Sequence, residues 1–297
     1  MDKIIHAVCF DGQISIAAIS ARKLVSSAQS IHGLSRTATA ALGRDLMMTA
    51  LMASRLKDER ESVSTIFAGH GAGGNLVCVG SYGAIVKGCV MNPSVELPPK
   101  PNGKLDVGGY VGCDGRLSVV REFAAKEPYV GVCELVSGEV AEDYAQYFTQ
   151  SEQQPSIVYL GVSENALSGE VLSAGGLWIQ ALPDCSDETI DAVSLRSAEY
   201  SKLGERLKDG EELETILTDL FGSWGYAQMS RMNPVYRCDC SRERMERALI
   251  SLGKQELTEL LIADGQAELV CHFCNKRYFF NENELAALVL EAENGRS

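Results

Sequence analysis

The chain has 297 residues and a formal charge of −13 at neutral pH, enough length for one large or two modest domains with ample core. Such acidity repels phosphate backbones, and the basic-looking RERMER (Arg242–Arg247) interleaves acids as a solvated helix face would, so no nucleic-acid partner is expected. No apolar run reaches the ~18–20 residues of a membrane span, and the opening MDKIIHAVCFDGQISIAAIS, interrupted by Asp11, is not a signal peptide. We therefore expect a cytoplasmic protein with no membrane partner. Thiols stay reduced there, and clustered cysteines mean metal or redox chemistry.

In chain order, IIHAVCF and ISIAAIS read as strands joined by a turn at DGQ. SRTATAALGRDLMMTALMASRLKDE reads as a long helix capped by Ser35 or Thr37, with Leu42, Leu46, Met47, Ala50, Leu51 and Ser54 on one face. The segments SVSTIFA, NLVCVGSYG, AIVKGCV, KLDVGGYVG, RLSVVREF and YVGVCELV then follow as strands, parted by turns such as Asp114–Gly115 and Ser137–Gly138. EVAEDYAQYFTQSEQ reads as a helix, and SIVYLGVSE and GGLWIQALP as further strands. The expected fold is α+β, with a mostly antiparallel sheet core over residues 1–183.

After Pro183 acids far outnumber bases and the periodicity turns helical. EELETILTDLFG places Leu213, Ile216, Leu217, Leu220 and Phe221 along one stripe, while Gly204, Gly210, Gly222 and Gly225 punctuate the segment. Residues 184–235 thus read as a charged helical linker that buries one narrow face and is weakly held. Residues 236–297 form a third, small unit. In it SRERMERALISLG is a helix capped by Ser241 and stopped at Gly253, with Met245, Ala248, Leu249 and Leu252 inward. KQELTELLIADG is a second helix, AELVC and RYFF pair as a hairpin, and Asn281 with Glu284 opens a last helix as a capping box.

Of ten cysteines, Cys9, Cys78, Cys89, Cys113, Cys133 and Cys185 are scattered and mostly in apolar, strand-like context, so they read as buried small hydrophobes. The other four are clustered: RCDCSRE carries Cys238 and Cys240, and thirty residues later CHFC carries Cys271 and Cys274. Residues i and i+2 of an extended segment share a face, and C-x-x-C brackets a tight turn, so both pairs can reach one tetrahedral zinc ion. We expect one Zn2+ per chain on Cys238, Cys240, Cys271 and Cys274, with His272 as a rival ligand. Losing the metal should unfold so small a unit. The C-x-x-C spacing suits a disulfide, whereas Cys238 and Cys240 on an extended strand lie at or beyond its limit, so oxidation there requires the backbone to contract. The site can serve as a staple and as a switch.

Gly69-x-Gly71-x-x-Gly74 matches a dinucleotide-binding pattern, but NLVCVGSYG follows it as a strand where that motif needs a helix, so we read a hairpin loop. No H-E-x-x-H, P-loop or G-x-S-x-G pattern occurs, and no catalytic residue is expected.

The CDC…CHFC constellation, together with ALGRDLMMTALMASRLKDE, YFTQSEQQPS, AGGLWIQALP and RCDCSRER, resembles the heat-shock protein 33 family of redox-regulated bacterial chaperones over essentially the whole chain. The resemblance implies an ATP-independent holdase that is inactive when reduced and zinc-bound. Oxidants would release the metal and form the disulfides Cys238–Cys240 and Cys271–Cys274. The linker and zinc unit would then unfold, homodimers would form, and exposed apolar surface would hold unfolded clients. Two other readings stay open at this point. A thiol–disulfide oxidoreductase would use Cys271 and Cys274, although the C-x-x-C does not open a helix. A zinc-ribbon adaptor is disfavoured by the acidic charge.

Overall fold

The computed structural model describes residues 1–294, which divide into a unit spanning Met1–Arg237 and a smaller one from Cys238 onwards. The order in the first unit is β1 (Lys3–Cys9), β2 (Ile14–Ser20), α1 (Arg22–His32), α2 (Arg36–Ala53), β3 (Ser62–Ala68), β4 (Leu76–Ser81), β5 (Ile85–Val90), α3 (Val107–Val111), β6 (Arg116–Phe123), β7 (Lys126–Glu134), α4 (Ala141–Gln150), β8 (Ser156–Glu164) and β9 (Val171–Ala181). Four short helices follow, α5 (Asp187–Ser194), α6 (Ser197–Tyr200), α7 (Leu203–Lys208) and α8 (Leu213–Phe221), and then β10 (Ala227–Met232) and β11 (Val235–Tyr236). The second unit holds α9 (Arg242–Leu252), α10 (Lys254–Asp264), the hairpin β12 (Ala267–Val270) and β13 (Arg277–Phe280), and α11 (Glu282–Asn294). The fold is α+β.

Two sheets make up the first unit, a five-stranded one in the order β10-β1-β2-β9-β8 and a six-stranded one in the order β11-β5-β4-β3-β6-β7. Pairing is antiparallel except for β11 on β5. Helix α2 lies between the sheets, touching β4, β5 and β3 of one and β8, β9 and β2 of the other. Ser35 is its cap, accepting the Ala38 N–H at 3.1 Å. A single apolar face was expected, but burial runs from Thr37 to Ala53 with only Arg44 half-exposed, because both sides of the helix meet a sheet. Small residues make that fit possible; a Cβ on Gly43 would come within 2.9 Å of Val25 Cγ1. The fully buried Asp45 is held by hydroxyls, Tyr144 donating at 2.6 Å and Thr65 at 2.9 Å, and burial pushes its carboxyl above the ordinary range.

The near-continuous apolar runs of β1 and β2 arise because the five-stranded sheet is covered on both faces. Ile4, Ala17 and Ile19 belong to the α2 core, while Ile5, Ala7, Cys9, Ile14, Ile16 and Ala18 face the other way. That second face is closed by the helical segment: Val193, Tyr200, Leu203, Leu213, Ile216, Leu217, Leu220 and Phe221 are all buried against it. The stripe read from EELETILTDLFG is therefore the docking face. Outside it, polar contacts pin the segment. Lys3 Nζ reaches Glu212 at 2.6 Å and Glu214 at 2.9 Å, and Ser173 Oγ donates to Gly204 O at 2.8 Å.

The structure corrects several expectations. KLDVGGYVG is not a strand: Asp106 caps the short helix α3, its Oδ1 accepting the Gly109 N–H at 2.9 Å. The segment after α8 returns to the core as β10, antiparallel to β1, and β11, parallel to β5. Tyr236 fixes that return, its hydroxyl donating to Gly88 O at 2.8 Å and meeting His32 Nε2 at 3.0 Å. Cys113 is exposed rather than buried. In α9, Leu249 is buried and Met245 half-buried as expected, but Ala248 and Leu252 are exposed. Among the described residues no helix is long and apolar enough to cross a membrane.

Candidate metal centre

The second unit has a small core of Leu249, Leu257, Cys271, Tyr278, Phe280, Leu285, Leu288 and Ala292. Cys238 and Cys240 lie in an irregular segment immediately before α9, which Ser241 caps by accepting the Arg244 N–H. Helices α9 and α10 reverse at Gly253 (φ +91°) and α10 ends at the left-handed Gly265, which returns the chain to the hairpin. Asn281 and Glu284 open α11 with reciprocal bonds of 2.9 and 3.1 Å, the capping box expected there.

Cys271 and Cys274 sit at the tip of the β12–β13 hairpin. The Cys271 carbonyl accepts N–H bonds from Cys274 at 3.3 Å and Asn275 at 2.8 Å, while the Cys271 N–H donates to Lys276 O at 3.0 Å. Asn275 takes a left-handed conformation (φ +57°), which asparagine tolerates better than most residues. This tight turn aims both sulfurs at the CDC segment. All four Sγ atoms lie within 4.8 Å of one another, with Cys238 to Cys271 at 3.6 Å and Cys240 to Cys274 at 3.4 Å. A zinc ion bound at about 2.3 Å by four thiolates requires sulfur separations of about 3.8 Å, so the donor set fits the ion with shifts of at most about 1 Å. Cys271 is buried and the other three are half-buried.

Local donors prepare the sulfurs for a cation. The Cys240 N–H points to Cys238 and the Lys276 N–H to Cys274, and each favours the thiolate. The Tyr278 hydroxyl donates to Cys240 Sγ at 3.1 Å. Burial alone would raise the Cys240 thiol, but the hydrogen bonds of Tyr278 and the three neighbouring cysteines bring it down to about 7. Burial pushes Cys238 and Cys274 up instead. Binding a divalent ion would expel the protons that remain on the four sulfurs. Asp239 points outward to Arg244 Nη1 at 3.0 Å, and His272 is exposed and outside the four-sulfur group. Tyr278 was not singled out from the sequence. The alternation of RYFF, which turns Tyr278 and Phe280 inward, is the signal that finds it.

The glycine pattern at Gly69–Gly74 does join β3 to β4 as a hairpin loop. Gly71 N–H donates to Val111 O at 2.9 Å and Gly73 N–H to Tyr110 O at 2.8 Å. A Cβ on Gly69 would lie 2.3 Å from Gly112 O, so these glycines admit α3 rather than a phosphate.

Comparison with known proteins agrees with this architecture. The family model described as Hsp33 protein matches residues 2–281, a span that includes all four clustered cysteines. The chain belongs to the Hsp33 family. Among Hsp33 relatives, the 33 kDa chaperonin of Thermoanaerobacter sp. (strain X514) is 42% identical over 293 residues, covering 98% of this chain and 99% of its own. That of Clostridium botulinum (strain Langeland) is 39% identical over 97% of each chain. The crystal structure of the 33 kDa chaperonin from Thermotoga maritima, a heat shock protein 33 homolog, superposes with a TM-score of 0.86 at 34% identity, covering 99% of both chains. Membership of the Hsp33 family makes this protein a chaperone.

Proposed function

We propose that the protein is a redox-regulated, ATP-independent holdase of the cytoplasm, without catalytic turnover. In the reduced state Cys238, Cys240, Cys271 and Cys274 hold one zinc ion. When bound, zinc cross-links the CDC segment to the hairpin tip and supplies most of what keeps the small unit folded. The observation that carries this reading is the four-sulfur cage itself, built by a unit whose core, among the described residues, has seven buried apolar or aromatic side chains besides Cys271. Structural zinc contributes on the order of 10–16 kcal/mol in small zinc peptides, comparable to the whole stability of a domain.

Oxidation removes the ligands. Each disulfide, Cys238–Cys240 and Cys271–Cys274, takes two electrons from a pair of thiolates and passes them to the oxidant, and a disulfide no longer binds the metal. The unit then loses its fold, and the helical layer α5–α8 of the linker (residues 184–235) comes off the five-stranded sheet while β10 stays paired with β1. The face lined by Ile5, Ile14, Ile16, Leu177 and Ile179 becomes available to unfolded clients, along with the linker's own Leu213–Phe221 stripe. The active form is a homodimer, and neither nucleic acid nor membrane is a partner.

The test is aggregation of a heat-unfolding client in the presence of the reduced, zinc-loaded protein, repeated after peroxide treatment at elevated temperature while zinc release is followed. Suppression only after oxidation, in step with zinc release, is expected. Equal suppression in both states, or zinc retained after oxidation, overturns the switch.

A further inference from the structure

Six cysteines lie outside the cage, and most are poorly placed to react with one another. On β4 and β5, Cys78 is opposite Gly88 while Cys89 is opposite Val77, so their side chains leave opposite faces of the sheet. Cys133 is buried against the α2 core and Cys113 is exposed. Cys9 and Cys185 differ. Cys9 ends β1 directly opposite Ile14 of β2, and Ile14 is directly opposite Ala181 of β9. Opposed residues share a face, so the three form one row under the helical segment.

Beyond Ala181 the chain folds back over this row. Leu182 N–H donates to Gln13 O at 2.9 Å, Cys185 N–H to Leu182 O at 2.9 Å and Ser186 N–H to Gln13 Oε1 at 3.1 Å. The turn seats Cys185 against the same apolar cluster that contains Cys9. Gln13 N–H in turn donates to Phe10 O at 2.9 Å, so the turn that holds Leu182 and Ser186 is the one that directly follows Cys9. Cys9 is fully buried, whereas Cys185 is half-buried and reaches solvent.

We infer that Cys9 and Cys185 form a second redox pair, whose disulfide staples the start of the linker to β1 and so opposes its release. This rests on the linker being the element that leaves. A peroxide is the oxidant. It converts the Cys185 thiol to a sulfenic acid with loss of one water. The Cys9 sulfur then attacks Cys185 Sγ, the S–O bond breaks, and a second water leaves. In sum two thiols are oxidised to one disulfide and one hydrogen peroxide is reduced to two waters. Burial holds the Cys9 thiol up at about 12 and also raises Cys185, so few thiolates exist at neutral pH and the reaction is slow. The staple forms only while the linker is docked. Prolonged mild oxidation would therefore lock molecules that have not yet opened.

The experiment treats the full-length, zinc-loaded protein with hydrogen peroxide at room temperature, alkylates free thiols at intervals, and maps disulfides without reduction. A glutamate-specific protease separates Cys133 from Cys185. The expected result is zinc release from part of the protein and a Cys9–Cys185 peptide pair that accumulates slowly in the part still holding zinc, with several-fold more client holding by Cys185→Ser than by wild type after prolonged peroxide. Cys9 recovered alkylated, with Cys185 free, overoxidised or paired elsewhere, overturns the inference, as does client holding unchanged by Cys185→Ser. Zinc released without the Cys9–Cys185 peptide sinks only the staple, whereas the peptide formed with no zinc released from any of the protein sinks only the four-cysteine switch.

Discussion

The two faces of the five-stranded sheet are covered in opposite ways. One meets α2, an 18-residue helix buried almost all round because a second sheet closes its far side. The other meets four short helices, none longer than nine residues, that bury a single stripe and leave their acidic side to solvent. The same strands supply both faces, so the difference lies in the covering layer. A helix sandwiched between sheets leaves only when both cores fail, whereas a layer with solvent behind it can be lifted off while the strands stay paired.

The largest effect expected is from serine at Cys238, Cys240, Cys271 and Cys274. Zinc binding, worth on the order of 10–16 kcal/mol in small zinc peptides, is lost. Hydrogen exchange should show the unit from Cys238 onwards unprotected and α2 unchanged; a core that collapses with it would break the contrast. Next is Phe221→Ala, which removes a fully buried ring stacked on Tyr200 at 5.6 Å. It should cost about 3–5 kcal/mol, read as lost protection confined to α5–α8, with client binding appearing without oxidant. Loss of protection in α2 as well would show that the two layers are one cooperative block.

Acid and base should separate the layers further. Burial raises the Glu164 carboxyl, at the end of β8, from 4.5 to about 8. Its favourable contribution is complete below about 4.5 and lost as pH rises through about 8. Lys3 holds Glu212 and Glu214 of the helical layer below 4.5, although burial works against this at Glu214. Their contribution is present above 4.5 and lost as pH falls. Thermal unfolding of Glu164→Gln should be less sensitive to pH between about 4.5 and 8 than wild type. Exchange in α8 should instead quicken in acid. The smallest effect is Lys3→Met, about 1 kcal/mol of docking, visible as a modestly lower oxidant threshold for client binding with the core melting temperature unchanged.

The strands β1–β9 and the gathering of the four clustered cysteines were legible because period-2 patterning and cysteine spacing are local signals. What escaped was set by tertiary context. KLDVGGYVG has the apolar residues of a strand, yet its glycines and the Asp106 cap suit one helical turn where Gly69–Gly74 leaves room. AQMSRM and VY are too short and polar to announce strands, and form them by pairing with β1 and β5. The all-round burial of α2 needs knowledge of two sheets, and a periodicity count finds only one face. Tyr278 escaped because its role is to orient a sulfur that lies 38 positions away in the chain.

The return of the chain as β10 makes the helical layer a closed loop. Its ends are sewn into the same sheet at Ala181 and Ala227, with β1 and β2 between them, roughly 14 Å apart at three strand spacings. A lifted layer stays on a leash, and the freedom it gains grows only as the logarithm of its length. It remains at an effective concentration on the order of millimolar over its own groove. On the proposed mechanism a client there would compete with a permanent resident, so weak and transiently exposed segments would be displaced while persistently unfolded chains stayed, and once a client departed the groove would close again by a local, first-order event.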